Sequence, residues 1–340
     1  MSDKNSPETL DRVLDATLTR ALGEPAKFDV AAGKLALQQA LRERAEAPAP
    51  VKHRRVPWLA AAAAVAVLTV GGLVASTVDV GSPSATAAEQ LVRAADLAEH
   101  VTEAPVGPGQ YRYVSRRHRS IGEGSGTNEA WTMGSRTEVW IPADYRQEWL
   151  ERQTREVVPQ WVPGHEGEGR PDQGGKDEEF RAPCGKFTYY AADYPDRCTI
   201  GSWNNPLPEF VSALPTDPRA LYERMVRDGG TDPSGALIVA ANGLLSGRLP
   251  AEVRANVFRA LALLPGLVVT EKRVNLDGVV GVALGIKYYD HFSELIINPY
   301  NGEFIGIRET VAQDGTLPKG TVRSVYSVGT AVVDSIGSRP

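Results

Sequence analysis

The stretch Val56–Val78 reads VPWLAAAAAVAVLTVGGLVASTV and runs for 23 residues without a charged side chain. As an α-helix rising about 1.5 Å per residue, it would extend about 35 Å, enough to cross a hydrocarbon core of about 30 Å. A helix also satisfies its own backbone hydrogen bonds, as the interior of a bilayer requires. The stretch therefore predicts one transmembrane helix, which divides the chain into two parts.

Two other interpretations fit this stretch. One is a buried helix of a soluble protein, although such helices seldom exceed about 18 uncharged apolar residues. The other is a cleaved secretory signal, for which Ala85-Thr86-Ala87 offers a cleavage pattern. Signals have a short charged start and an apolar region of about 7–15 residues. Because 55 residues precede this longer stretch, the membrane span is favoured.

The flanking charges predict the orientation of the helix. Acidic residues predominate after it, and five basic residues come shortly before it: Arg42, Arg44, Lys52, Arg54 and Arg55. By the positive-inside tendency, residues 1–55 are then cytoplasmic and residues 79–340 are extracytoplasmic. Trp58, together with Arg54 and Arg55, is predicted to anchor the helix in the bilayer at its cytoplasmic end.

The predicted cytoplasmic tail has apolar residues at helical spacing, which predicts two amphipathic helices. Their apolar faces include Leu10, Val13, Leu14 and Leu18 in the first helix, and Leu37 and Leu41 in the second. Two short helices cannot bury a self-sufficient core. These residues therefore predict a surface that binds a cytoplasmic protein. A self-packed helical hairpin, or helices lying on the inner membrane surface, would produce the same pattern.

The net charge of −5 is unevenly distributed along the chain. Residues 1–55 carry a net charge of +2, which leaves −7 for the remainder. An acidic outer part lacks the basic surface that nucleic acids require, so no direct nucleic-acid partner is expected.

Cys184 and Cys198 are the two cysteines of the chain. Both belong to the part predicted to lie outside the membrane, where thiols are readily oxidised. We predict one disulfide, which would contribute about 3 kcal/mol by closing a loop of about 15 residues. A metal site is the alternative, but there is no C-x-x-C motif and no histidine near either cysteine in sequence.

Residues 79–104 are predicted to form a linker and a helix, and residues 105–340 a folded domain. The domain begins with three segments that predict antiparallel strands: Gln110–His118, Asn128–Pro142 and Tyr145–Val158. Three helices are then predicted, starting at Asp217-Pro218, Asp232-Pro233 and Leu249-Pro250, and the third is expected to pack against a sheet. Asp277-Gly278 and Asn301-Gly302 predict turns in a final meander with strands Leu267–Asn275, Val279–Ile286, Ser293–Ile297, Glu303–Val311 and Val322–Val333. This order predicts an α+β domain.

Residues 163–181 combine glycine, proline and many charges with almost no apolar residue. This composition predicts a mobile insertion. It leads into the predicted disulfide loop, which contains the aromatic residues Phe187, Tyr189, Tyr190 and Tyr194. These aromatic residues either form a lip that faces a ligand or pack onto the sheet, and packing is the favoured interpretation.

The chain lacks the motifs of common catalytic sites. Its five histidines are scattered and form no metal-binding spacing: His53, His100, His118, His165 and His291. There is no G-x-S-x-G motif and no phosphate-binding G-x-x-x-x-G-K-[ST] motif. We therefore expect a non-enzymatic protein without a cofactor or a metal site.

Three segments carry a resemblance to a known family: LPTDPRALYERM from Leu214, LPAEVRANVFRALALLPG from Leu249 and ELIINPYNGEFIGIRE from Glu294. They resemble uncharacterised single-pass membrane proteins of actinobacteria, whose genes often lie beside those for extracytoplasmic-function sigma factors. The order of elements also looks like the half-open β-barrel of lipoprotein carriers and of periplasmic regulators that sense them. The aspartate usual in that family before Pro299 is Asn298 here, so no ligand role is carried over to it.

The resemblance and the predicted topology together imply an envelope sensor of the anti-sigma kind. Its outer domain would sense a lipid or lipoprotein of the envelope, and its tail would hold a cytoplasmic partner such as a sigma factor. The alternative is a carrier or chaperone for lipid or lipoprotein, tethered to the bilayer and enclosing an apolar pocket. A purely structural module of the cell envelope is a third interpretation.

Overall fold

The structure, a computed structural model, describes residues 84–169, 171, 176–187, 198, 201–230 and 232–340. The predicted span Val56–Val78 and its anchors Arg54, Arg55 and Trp58 lie outside the described residues. The same holds for the predicted partner-binding residues of the tail: Leu10, Val13, Leu14, Leu18, Leu37 and Leu41. Within the described part of the chain, no helix is both long and apolar enough to cross a membrane.

The described residues form five helices and nine strands. The helices are α1 (Ala85–Glu99), α2 (Pro208–Ser212), α3 (Pro218–Gly229), α4 (Pro233–Leu245) and α5 (Ala251–Leu261). The strands are β1 (Tyr111–Glu123), β2 (Ala130–Pro142), β3 (Glu148–Val157), β4 (Glu178–Pro183), β5 (Val268–Leu276), β6 (Val279–Tyr288), β7 (His291–Ile297), β8 (Phe304–Val311) and β9 (Val322–Val333). The predicted α+β class is confirmed.

All nine strands belong to one antiparallel sheet with the order β4-β3-β2-β1-β9-β8-β7-β6-β5. Two meanders, β1 to β4 and β5 to β9, are joined where β1 pairs with β9. The sheet is curved and unclosed, since its edge strands β4 and β5 do not pair with each other. This arrangement confirms the predicted curved sheet with helices packed against it.

The helices pack on one face of the sheet and bury the largest core of the described chain. Asp217 and Asp232 cap α3 and α4 by accepting hydrogen bonds from backbone N–H groups, as predicted. The third predicted helix, α5, begins after Pro250 without a side-chain cap. It packs mainly on α1 and α3, whereas α4 contacts β7, β8 and β9. Val257 and Leu261 of α5 also belong to the same buried core as Leu284 of β6, so this helix packs over the sheet as expected.

The sheet has two faces, and the helices pack on the first. The sheet curls so strongly that the β5–β6 hairpin folds back over the second face, opposite the helices. β5 has two register irregularities between Val269 and Val274, and such bulges bend and twist a strand. The turn at Asp277-Gly278 has positive φ angles of 52° and 89°, as a tight hairpin turn requires. At this turn, the Asp277 carboxylate accepts a hydrogen bond from Arg119 of β1 over 2.7 Å.

Side chains fill the inside of the curl. Five buried apolar residues cluster there: Val274, Leu276, Ala283, Ile296 and Ile305. Beside them, the Arg308 guanidinium donates two hydrogen bonds to the Glu294 carboxylate, over 2.7 and 2.9 Å. Thr310 donates a further hydrogen bond to Glu294 over 2.6 Å, and Thr270 also donates one. The Glu294 side chain is only 1% exposed, so this ion pair is part of the core.

A second buried carboxylate, that of Glu138, binds the C-terminal residues on the second face of the sheet. Glu138 accepts hydrogen bonds from Tyr113 over 2.6 Å and from Arg339 over 2.6 and 2.5 Å. Burial by itself would raise the pKa of Glu138, but the hydrogen bonds from Arg339 and Tyr113 outweigh it and lower that pKa. Trp140 donates its indole N–H to the carbonyl oxygen of Ser338. Ser338 and Arg339 are therefore fixed to β2.

Cys184 and Cys198 form a disulfide with their Cα atoms 5.4 Å apart, so the predicted bond is confirmed. The predicted mobile insertion is wrong over residues 178–181, because Glu178–Pro183 forms edge strand β4, paired with β3. Its backbone hydrogen bonds to β3 order a segment that has few apolar residues to bury.

Candidate binding groove

A groove of about 380 Å³ lies between α1, the β5–β6 hairpin and the turn that joins β7 to β8. We call it the α1–β5 groove. Its lining residues are Thr86, Gln90, Arg93, Val269, Lys272, Val282, Pro299 and Tyr300. A narrow cleft of about 10 Å³, room for about one water molecule, adjoins it and reaches the buried side chains of Leu284 and Ile297.

Helix α1 forms one wall of the groove and is fixed at its first residues. The Ser84 hydroxyl accepts a hydrogen bond from the backbone N–H of Ala87 over 3.2 Å and so caps the helix. The backbone N–H of Ser84 donates to the carbonyl oxygen of Leu267, just before β5, over 2.8 Å. On the helix, Leu91 and Ala95 are fully buried in the core. This wall is therefore a packed part of the domain.

The turn between β7 and β8 forms the opposite wall. Asn298 accepts a hydrogen bond from the backbone N–H of Tyr300 through its side-chain oxygen, over 3.0 Å, and so shapes the turn. Gly302 has a φ angle of 72° and lies so close to α1 that a Cβ atom there would be 2.3 Å from the Ala94 carbonyl oxygen. Only glycine permits this approach, so the turn and α1 are packed together.

The groove combines two cations with an apolar floor. Arg93 and Lys272 are exposed, and neither forms an ion pair within the described residues. The neighbouring carboxylate of Glu271 is engaged with Arg308 over 2.9 Å. Val269 and Val282 supply apolar surface, and the Tyr300 side chain is 79% exposed at the rim. This arrangement suits a ligand that has an anionic group beside an apolar portion.

The lining residues of the groove include no histidine, carboxylate or cysteine. None of the four histidines that the structure describes lines the groove. The His118 ring stacks on Tyr326 with their centroids 4.0 Å apart, and burial lowers the pKa of His118. Across the described residues, no three His, Cys, Asp or Glu side chains are arranged to hold a metal ion.

A further cationic position lies beside the disulfide. The Arg248 guanidinium stacks 4.4 Å from the Trp149 ring centre and donates to the side-chain oxygen of Asn205. Burial lowers the pKa of Arg248 to about 10. Phe187 packs edge-on against Trp149 with ring centres 6.3 Å apart, so this aromatic residue of the disulfide loop packs inward. The other aromatic residues of the predicted lip, Tyr189, Tyr190 and Tyr194, lie outside the described residues.

Comparisons with known proteins identify no family. No protein-family model matches the chain, and no curated protein matches it. Among solved structures, MucB in complex with MucA(peri) matches with 11% identity and a TM-score of 0.26, covering 72% of this chain and 56% of that one. MucB without a partner matches with 13% identity and a TM-score of 0.27, covering 76% and 61% of the two chains.

A DUF1329 family protein from Desulfovibrio piger ATCC 29098 matches with 8% identity and a TM-score of 0.20, covering 76% of this chain and 95% of that one. The chain thus spans only about three fifths of the length of the MucB chains that it matches. With identities and scores this low, the matches do not indicate what the chain binds.

Proposed function

We propose that the chain is a non-enzymatic regulator anchored in a membrane by Val56–Val78. Its outer domain binds a component of the cell envelope in the α1–β5 groove, and its tail binds a cytoplasmic protein, for which a sigma factor is the leading candidate. The observation that carries the proposal is the position of the groove. Thr86 and Gln90 line it, and they directly follow the segment that leads from the predicted span into the domain.

The chemistry of the outer domain supports this proposal. A disulfide within an ordered domain suits an oxidising compartment rather than a reducing one. The lining of the groove offers cations and apolar surface but no histidine, carboxylate or cysteine. These features suit recognition of a ligand rather than turnover of a substrate.

A tethered carrier for lipid or lipoprotein is the second candidate. The volume of the groove, about 380 Å³, falls within the range of small-ligand sites and favours it. However, a carrier needs an enclosed apolar space for acyl chains, whereas Val274, Leu276, Ile296 and the Glu294–Arg308 pair fill the inside of the curl. We therefore rank the regulator first.

The tail provides the test of the regulatory proposal. Full-length protein with an affinity tag should capture a specific cytoplasmic protein from its host, and the double variant Leu14→Asp/Leu18→Asp should lose it. Both leucines lie on the predicted apolar face, so the two new charges would abolish its contact with a partner helix.

The matched control places the same two charges on the opposite side of the predicted helix, as Ala16→Asp/Thr19→Asp. This variant should retain the partner. The tail is not a docking element if the leucine variant still captures every protein that the wild type captures. The same conclusion follows if the leucine variant and the control variant capture the same proteins. If lipid co-purifies with the outer domain in stoichiometric amount, the carrier is the better description.

A further inference from the structure

We propose that the α1–β5 groove binds the phosphate-bearing headgroups of the membrane to which the chain is tethered. Arg93 and Lys272 would bind the phosphate oxygens, and Tyr300 with Val269 and Val282 would contact the glycerol and upper acyl region. The proposal rests on the proposed function, because it requires Val56–Val78 to span the bilayer. It adds the class of ligand and the face of the domain that the ligand contacts.

The length of the tether supports a groove that faces the membrane. Only residues 79–83 separate the predicted span from Ser84. Fully extended, this connection reaches at most about 21 Å. A compact domain of this size is about 45 Å across. The surface around Ser84 must therefore stay close to the bilayer, and the groove begins two residues later at Thr86.

The distribution of charge also supports this orientation. The chain after residue 55 carries a net charge of −7, so a membrane with anionic lipids would repel most of its surface. Arg93 and Lys272 present positive charge in one place and have no ion-pair partner among the residues that the structure describes. Screening limits such attraction to about 8 Å at physiological salt, so the two cations act only if they reach the headgroups.

The apolar part of the groove fits the layer below the phosphates. A tyrosine at the membrane–water interface places its ring among the headgroups and its hydroxyl toward water. Tyr300 is suited to this role because 79% of its side chain is exposed on a turn that packs against α1. An acidic peptide added to edge strand β5 fits less well, since exposed charges on Glu271, Lys272 and Arg273 oppose strand pairing.

The test uses full-length protein in nanodiscs made of phosphatidylcholine with or without phosphatidylglycerol, plus a lipid that carries a nitroxide on its headgroup. A fluorophore is attached to Val92→Cys, an exposed position on α1 that does not line the groove. A second sample carries it at Tyr289→Cys, on the β6–β7 turn at the other end of β7 from Tyr300. Quenching at position 92 should exceed that at position 289 severalfold and should increase with phosphatidylglycerol.

Charge reversal by Arg93→Glu/Lys272→Glu should reduce the docked population by at least about fivefold for each cation removed. The matched control Arg219→Glu/Arg227→Glu changes charge equally on exposed positions of α3 and should leave quenching unchanged. Equal quenching at positions 92 and 289 would overturn the inference. Equal effects of the two double variants would also overturn it, and the proposed function would then require another envelope ligand, such as a protein. A chain that does not enter nanodiscs would instead refute the membrane anchor, and with it the proposed function.

Discussion

The Arg119 guanidinium donates a hydrogen bond of 2.7 Å to the carboxylate of Asp277, although their sequence positions differ by 158 residues. In the sheet, β1 and β5 are separated by β9, β8, β7 and β6. Neighbouring strands lie about 4.8 Å apart, so a flat sheet would hold these two strands about 24 Å from each other. The contact therefore shows how far the sheet curls, and it holds the β5–β6 hairpin, at one edge of the sheet, against β1.

Asp277→Asn should weaken the contact between the β5–β6 hairpin and β1. It should not strain the turn, because asparagine tolerates the positive φ angle at this position. Arg117 and Arg119 are partly exposed, so we expect a loss of only about 1 kcal/mol at pH 7. Urea unfolding of full-length protein in detergent would measure it. Glu148→Gln, in an exposed ion pair with Arg181, is the control and should cost less than about 0.5 kcal/mol.

The effect of Asp277→Asn should also depend on pH. Burial by itself would raise the pKa of Asp277, but hydrogen bonds from Ser327 and Arg119 outweigh it and lower that pKa. The carboxylate therefore stabilises the fold fully above its unfolded pKa of about 3.9, and this stabilisation is lost as pH falls through the lower folded pKa. A difference between variant and wild type that stays constant down to pH 2 would contradict this account.

Arg339→Ala should leave Glu138 buried without its guanidinium partner. We expect a loss of about 2–3 kcal/mol at pH 7, in the range of a charged hydrogen-bond pair at a buried carboxylate. In wild type, the lowered pKa of Glu138 means that its contribution is present above about pH 4.3 and lost at lower pH.

In the Arg339→Ala variant the pKa of Glu138 should be lowered less than in wild type, because only the Tyr113 hydrogen bond and the charge of Arg136 then oppose burial. The stability gap from wild type should therefore open as pH rises from about 2 towards the unfolded pKa of about 4.3, and then stay constant up to pH 7. Urea midpoints across this range provide the measurement. Arg339→Lys keeps the charge and should recover part of the loss, whereas equal losses for both variants would show that the charge is unimportant.

Glu294→Ala should be among the most destabilising substitutions in the described core. It leaves the Arg308 side chain, only 11% exposed, without its main carboxylate, and breaking one side of a buried pair costs about 3–5 kcal/mol. Replacing both residues, as Glu294→Leu/Arg308→Leu, should cost less than the single change because no unpaired charge remains. A double variant at least as unstable as Glu294→Ala would show that the pair contributes specific packing beyond its charges.

Substitution of two glycines of the sheet by alanine should change stability in opposite directions. A Cβ at Gly306 would lie 2.0 Å from the Tyr326 carbonyl oxygen, so Gly306→Ala should force the β8–β9 pairing apart and cost about 1–3 kcal/mol or more. Gly329 of β9 has no atom within 4 Å of such a Cβ, so Gly329→Ala should be neutral or stabilise by up to about 1 kcal/mol. Thermal unfolding of the two variants in parallel tests this contrast.

The sequence predicted most elements because their signals are local. Asp217 and Asp232 precede prolines at helix starts, and Asp277-Gly278 fits a tight hairpin turn, so each boundary follows from neighbouring residues. β4 was missed because it is an edge strand whose charged residues do not alternate with a buried apolar set. α2 was missed because five residues are too few for helical periodicity to be visible.

The groove itself was not predictable from local patterns. Arg93, Lys272 and Tyr300 come from three distant segments, and each alone is an ordinary exposed residue. The curl of β5 likewise brings Thr270 to Glu294, whose partner Arg308 lies directly opposite it on the neighbouring strand β8. One local signal was available, namely Asn298-Pro299 followed by Gly302, which is typical of a tight turn. The glycine of this turn packs closely against α1.

The pairing of β1 with β9 has a consequence for biosynthesis. Gln110 and Asp334 form a hydrogen bond across a separation of 224 residues, so β1, at the edge of the first meander, finds its second neighbour only after β9 has been synthesised. Closing so long a loop is slow compared with forming hairpins. A polypeptide whose translation stops before Val322 would retain an unfilled strand edge in β1, a template for misassembly that quality-control proteases would have to remove.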